Sequence, residues 1–241
     1  MRLSVVIPIF NEATVIANTL AAIQRYFADR PQWVTEILVV DDCSTDNSVS
    51  LVEQVALQNK VIRLLCNETN RGKGYSIKRG VEEARGDYIL FMDADLSTPL
   101  DQFEVLWWAA REDDVVIASR GLADSRIIRH QSWFKERAAN LGNSVIRLFL
   151  GLPYQDTQCG FKLFPARAKS VFEYQTIDRW GFDMEILYVA HKRGFHIVEV
   201  PVVWVNDPTT TVKKFDYVVV LLDIFRILYN DWRGVYNEKM W

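Results

Sequence analysis

Gly86-Asp87-Tyr88-Ile89-Leu90-Phe91-Met92-Asp93-Ala94-Asp95 is an apolar run that ends in two carboxylates. A short, continuous apolar run of this kind belongs to a strand of a sheet covered on both faces. Spacing of two on an extended chain points Asp93 and Asp95 the same way. Two such acids repel and are stable together mainly with a cation between them. A hard ion such as Mg²⁺ or Mn²⁺ takes one or two carboxylates plus substrate phosphate oxygens. The plainer alternative is a solvated turn after a strand, where Asp is common.

Working outward, the same pattern recurs. Leu3–Ile9 is a β-branched run, and an amphipathic stretch follows to Phe27. Further apolar runs occupy residues 36–40, 61–66, 88–92 and 115–118, with helical patterns at 72–85 and 100–111. Short buried strands separated by helices predict an α/β fold: a Rossmann-like, mostly parallel sheet with helices on both faces. The strand ends then share one edge, where open α/β sheets bind ligands. Beyond Ser119 the alternation stops. A helix is expected to reach Leu150, a loop covers 151–160, helices fall near 166–174 and 182–193, and one strand spans 197–205. With no repeat or linker, the chain reads as a single domain over residues 1–212, followed by a C-terminal amphipathic helix within 213–241.

Three flanking motifs put chemistry on that edge. Val5-Val6-Ile7-Pro8-Ile9-Phe10-Asn11-Glu12 and Leu38-Val39-Val40-Asp41-Asp42-Cys43-Ser44-Thr45-Asp46 each end a buried strand in polar groups. A carboxylate there can accept from a nucleobase or from ribose hydroxyls; Asp42 is the preferred ligand contact, whereas Asp46 is read as capping the next helix. Asn70-Arg71-Gly72-Lys73-Gly74 is a glycine-rich turn entering a helix, with backbone N–H groups and a Lys suited to a diphosphate. It lacks the spacing of a P-loop.

The net charge of −3 over 241 residues excludes general nucleic-acid binding. Cys43, Cys66 and Cys159 match no metal or disulfide pattern and read as free thiols in a reducing compartment. No run reaches the length of a membrane span. Against this acidic background, residues 120–137 carry Arg120, Arg126, Arg129, Lys135 and Arg137, a group that suits a phosphate ligand or solvates a loop. His130, His191 and His196 show no ligand spacing. From Phe215 to Tyr229 the chain is apolar except for Asp216, Asp223 and Arg226, which share a helical face with Asn230. Such a helix packs on the domain, self-associates or lies in a membrane interface.

Asp93-Ala-Asp95-Leu-Ser97 also resembles the nucleophile loop of haloacid-dehalogenase-type phosphatases, but that loop normally follows the first strand of its domain, and here three strand–helix units precede it. The combined set IPIFNEA, VVDDCSTDNS, NRGKGYSIKRG and GDYILFMDADLSTP resembles the family 2 glycosyltransferases of the GT-A fold. Gln155-Asp-Thr-Gln-Cys-Gly-Phe-Lys-Leu-Phe164 and Arg179-Trp-Gly-Phe-Asp-Met-Glu185 are similar to the branch that glucosylates dolichyl or other polyprenyl phosphates, with the dolichyl-phosphate mannosyltransferases as relatives. The resemblance implies that Pro8, Phe10, Glu12, Val40 and Asp42 line the nucleotide pocket, and that Asp93, Ala94 and Asp95 hold nucleotide and metal. It implies that Arg120 and Arg137 meet phosphates. Lys213 stands in for a Lys that relatives carry near the final strand, where this chain has Thr211, and Ser97 replaces a metal-binding Gln of the mannosyl relatives.

The expectation is a metal-dependent enzyme that moves a hexose, glucose from UDP-glucose first, to a polyprenyl phosphate with inversion. Asp95, Arg120 and Arg137 are its expected catalytic residues. Mannose from GDP-mannose, a saccharide hydroxyl acceptor and a non-catalytic sugar-nucleotide sensor are the alternatives. A hydroxyl needs a general base, for which Asp183 or Glu185 is available unless they pair with Arg179 or Lys192. A phosphate monoester, with a second pKa of about 6, does not. A long-chain lipid cannot leave the bilayer cheaply, at about 0.8 kcal/mol per CH₂. The enzyme is therefore expected in the cytoplasm, peripheral on the membrane face, attached through residues 133–150, the C-terminal helix or both.

Overall fold

The computed structural model describes the backbone of residues 2–30, 33–111, 113–129, 133–205 and 214–237, and their side chains except at 34, 35, 129, 133–141 and 214–218. In the first half the strands β1 (Leu3–Ile9), β2 (Val34–Asp41), β3 (Ile62–Cys66), β4 (Tyr88–Met92) and β5 (Val115–Ser119) alternate with α1 (Ile16–Phe27), α2 (Ser48–Gln58), α3 (Lys73–Glu83) and α4 (Gln102–Ala109). β1 lies between β2 and β4, parallel to both, and β2 carries β3 in parallel. Successive residues of each strand enter opposite cores, as the pleat requires. Val6, Val40 and Phe91 join Ile77 and Val81 of α3 on one face, while Val5, Val39 and Leu90 join Ile16, Leu20 and Phe103 of α1 and α4 on the other. Because both faces are covered, the strands are mostly apolar, and the buried Glu36 of β2 is paired with Arg63 of β3 and Ser4 of β1.

The second half contains β6 (Arg126–Arg129), α5 (Trp133–Leu150), β7 (Phe161–Pro165), α6 (Lys169–Glu173), α7 (Phe182–Lys192), β8 (Ile197–Pro201), β9 (Val203–Val205) and α8 (Lys214–Trp232). The main sheet runs β3-β2-β1-β4-β7-β5-β8. Two features depart from expectation. β7, antiparallel to both neighbours, is inserted between β4 and β5 from a stretch with no strand expected. The single strand expected over 197–205 is two: β8 pairs with β5 as far as Pro201, whereas β9 leaves to pair with β6 in a separate ribbon. Pro201 has no N–H to continue the ladder, and the Val203 N–H donates instead to Gln102 Oε1 at 2.9 Å.

α8 lies the other way round from an ordinary surface helix. Asp223, Ile224 and Ile227 are buried, and Asn230 donates to Thr176. Leu222, Phe225, Tyr229 and Trp232 stand 55–82% exposed along the opposite side. At the end of α5, Leu148 and Phe149 are also exposed, and the Phe149 ring lies 5.9 Å from that of Phe225. Among the described residues no helix is long and apolar enough to cross a membrane.

Candidate active site

The parallel strands β1, β2, β4 and β5 end on one edge, bringing together Pro8–Glu12, Asp41–Ser44, Asp93–Asp95 and Arg120. Three non-glycine residues adopt positive φ among the described residues: Asn11 (57°), Cys43 (65°) and Leu96 (54°). Each follows one of these strand ends. Left-handed backbone at non-glycine residues costs free energy and gathers where a surrounding structure holds it for function. Here the bracing is visible. Asn11 N–H donates to Ser44 Oγ at 2.9 Å, and Asn11 Oδ1 accepts from the Thr45 N–H at 2.8 Å. Asp46 accepts from Ala13 N–H (3.1 Å) and from Ser48 N–H (2.9 Å), tying the β1 loop to the start of α2.

At the end of β4, Asp93 and Asp95 diverge in their partners. Asp95 is exposed; its carboxylate accepts from Ser97 N–H at 2.9 Å and from Ser97 Oγ at 2.8 Å. Partial desolvation, and then the charge of Asp93, raise the Asp95 carboxyl above its ordinary range. Asp93 is 2.5 Å from Lys73 Nζ. Burial works against the Lys73 ammonium, but Asp93 and Asp183 outweigh it and hold its pKa above the usual value. Gly160, at the start of antiparallel β7, closes over the same carboxylate: a Cβ there would sit 2.6 Å from Asp93 Cγ. The direction of β7 therefore explains the glycine, since a strand running antiparallel to β4 begins at this edge, with Gly160 just before it.

Two of the expected nucleotide contacts have other work. The Asp42 carboxylate is buried and accepts from Asn67 Nδ2 (2.9 Å), Arg71 N–H (2.9 Å) and Gly72 N–H (2.7 Å), so it shapes the glycine-rich turn. Its neighbour Asp41, also buried, retains one unpartnered oxygen, Oδ1. Val40 is fully buried with its side chain against α3, so only its backbone is near the edge. Pro8 and Glu12 are half-buried, Phe10 is exposed, and the Ala94 carbonyl accepts from Thr19 Oγ1 at 2.5 Å.

Arg120 follows β5 but is not a free cation. Asp156 takes its Nε at 2.6 Å, Nη2 at 3.0 Å and N–H at 3.1 Å, and the guanidinium lies 5.4 Å from the Trp204 ring. Burial opposes the Asp156 charge, yet Arg120 prevails and lowers its pKa. The side chain of Arg137, and Lys213, Thr211 and His130 altogether, lie outside the described residues.

Asp183 and Glu185 are both buried in α7. Asp183 pairs with Lys162, which is itself fully buried on β7 and donates to the Cys159 carbonyl at 2.6 Å. Burial raises the Asp183 carboxyl and Lys162 opposes the rise. Glu185 accepts from Thr176 N–H (2.9 Å), Ile177 N–H (2.8 Å) and Tyr236 OH (2.7 Å). Neither pairs with Arg179 or Lys192: Arg179 reaches towards Asn70, and Lys192 pairs with Asp231. The three cysteines are free, and burial pushes the Cys159 thiol up to about 11. His196 is a surface residue, 2.9 Å from Asp114.

Among the described residues no group of three or more metal-ligating side chains forms. Asp93 and Asp95 are two carboxylates of the kind that could hold a hard divalent ion completing its shell from a ligand's phosphates. The family model for Glycosyl transferase family 2 matches residues 4–168. A dolichyl-phosphate beta-glucosyltransferase of Trichomonas vaginalis is 31% identical, over 97% of this chain and 73% of that protein. That of Homo sapiens is 30% identical over 99% of this chain and 80% of its own. Among solved structures, glucosyl-3-phosphoglycerate synthase from Mycobacterium tuberculosis in complex with Mn²⁺, UDP and phosphoglyceric acid superimposes with a TM-score of 0.70. It has 16% identity and covers 99% of this chain and 79% of that one. S. aureus TarS in complex with UDP-GlcNAc gives a TM-score of 0.60 at 21% identity, over 95% and 67% of the two chains.

Proposed function

The chain belongs to glycosyl transferase family 2, and from that membership we propose that it transfers glucose, with inversion, from UDP-glucose to dolichyl phosphate or another polyprenyl phosphate. The names of its near-full-length relatives support the sugar and the acceptor. The observation that carries the acceptor is the state of α7. A hydroxyl acceptor needs a base at the reacting edge, but Asp183 is buried against Lys162 and Glu185 is consumed by the 176–177 backbone and Tyr236. A phosphate acceptor, largely dianionic at neutral pH, attacks without one.

The residues divide the remaining work. A divalent ion, Mg²⁺ or Mn²⁺, would be held by Asp93 and Asp95 and would supply positive charge to the departing diphosphate. Ser97 aims Asp95; Lys73 and Gly160 orient Asp93. The Gly72–Lys73 turn, shaped by Asp42, presents backbone N–H groups and an ammonium to phosphate oxygens. Arg120, anchored by Asp156, keeps a fixed cation beyond β5. The exposed stripe of α8, continued by Leu148 and Phe149, supports attachment to the cytoplasmic membrane face, where Tyr229 and Trp232 suit the headgroup region.

Radiolabelled UDP-glucose incubated with dolichyl phosphate and Mn²⁺ should give an organic-extractable product. Label appearing from GDP-mannose instead, or only on a free saccharide, would refute the donor or the acceptor.

A further inference from the structure

The loop of residues 176–181 has two sides. On one it forms the bed of the glycine-rich turn. Gly72, at φ 115°, lies so close that a Cβ would come 2.6 Å from the Asp178 carbonyl and 2.7 Å from Arg179 Cγ. The Tyr75 N–H donates to that same carbonyl at 3.0 Å, and Arg71 Nη2 pairs with Asp178 at 2.8 Å. On the other side the loop rests on α8. A Cβ on Gly181 would stand 2.7 Å from Asp223 Cγ. Arg226 Nη2 donates to the Thr176 carbonyl at 2.8 Å, and Asn230 Nδ2 donates to Thr176 Oγ1 at 3.0 Å. Thr176 in turn gives its N–H and hydroxyl to Glu185, at 2.9 and 2.7 Å.

We propose that Arg226, with Asp223 and Asn230, is a positioning residue for donor binding: α8 holds residues 176–181, and these hold the Gly72–Lys73 turn at the height where it meets a nucleoside diphosphate. The inference rests on the reading of that turn as the phosphate site. It accounts for the inward polar stripe of α8, which helix packing alone does not require. The link is a series of direct contacts: α8 touches Thr176 and Gly181, and Asp178 and Arg179 of the same loop touch Gly72.

Calorimetric titration of the full chain with UDP and Mn²⁺, beside donor kinetics and thermal unfolding, tests it. Arg226 is exposed, so Arg226→Ala leaves the core packed. Loss of its hydrogen bond should weaken UDP binding and raise the donor KM by about five- to tenfold, with kcat and the acceptor KM little changed. Arg226→Lys should recover part of the loss. If Arg226→Ala binds UDP as the parent does, whatever happens to its melting temperature, α8 is only packing and the proposal fails. Failure of the acceptor reading would look different: UDP binding would still depend on Arg226, but no lipid product would form. A parent chain that binds neither UDP nor GDP would overturn the proposal together with the phosphate-site reading.

Discussion

Replacing Lys162 by Met removes the charge that balances Asp183. The pair is buried, with side-chain exposures of 0% and 5%, and the ammonium also satisfies the Cys159 carbonyl. Met is close in volume, so the cost comes from electrostatics rather than from a cavity. Breaking a buried pair by removing one partner typically costs about 3–5 kcal/mol, a large part of the ~5–15 kcal/mol by which domains are stable. For a chain of this size each kcal/mol moves the midpoint by about 2–4 °C, so Lys162→Met should melt roughly 6–20 °C below the parent. The double variant Lys162→Met/Asp183→Leu removes both charges and should recover most of that loss. Scanning calorimetry of parent, single and double variants at pH 7 is the assay. A single variant that melts within about 2 °C of the parent, or a double variant no better than the single, would refute the pairing. The result also governs how Asp183→Asn is read: lost activity there reports a damaged core, not a missing base, if the loss tracks the melting temperature.

Gly160→Ala would place a methyl 2.6 Å from Asp93 Cγ; pushing that carboxylate away from Lys73 should weaken UDP–Mn²⁺ binding by about 10- to 100-fold. Calorimetry measures it, and because Gly160 is half-exposed the melting temperature should barely move. Asp223 has an oxygen without a partner, and burial pushes its carboxyl from 3.8 up to about 6. Between pH 4 and 6 the unfolded chain ionises this group while the folded chain keeps its proton, so stability falls as pH rises through that window and then levels. Asp223→Asn should abolish this loss and be more stable at pH 7 by up to about 3 kcal/mol; urea unfolding at pH 4 and pH 7 checks it, the variant's advantage vanishing at the lower pH. Phe225→Glu with Trp232→Glu should release the protein from anionic vesicles in a sedimentation assay while leaving UDP binding intact.

The first half of the fold was legible because a parallel, doubly covered sheet writes itself as plain apolar runs, and the strand ends followed from topology. β7 was hidden by Lys162, a charge inside an otherwise apolar strand; its neutralising partner lies 21 residues on in α7. The break between β8 and β9 depends on Pro201 and on Gln102 of α4, a contact that no local pattern reveals. The polar stripe of α8 could be seen in sequence, but its direction could not, because amphipathicity does not say which face is covered. In the site, the place of Asp93 and Asp95 just beyond β4 was readable from the apolar run before them. The hydrogen bonds that Asp42 accepts were not, since the N–H groups that make them come from a turn some thirty residues away. Val40 follows the strand alternation and belongs to the core. Lys73 is legible as a cation beside a glycine-rich turn; the proximity of Gly160 to Asp93 has no signal beyond the glycine itself.

The decisive measurement is the affinity for UDP, with and without Mn²⁺, of the parent and of Asp95→Asn. Asp95 is an exposed strand-end residue, so the variant should fold and melt like the parent. Binding that tightens with Mn²⁺ in the parent and is indifferent to it in Asp95→Asn is the predicted result. Equal affinity in excess chelator, or an undiminished Mn²⁺ effect in the variant, would contradict the assignment of the cation to this pair of acids.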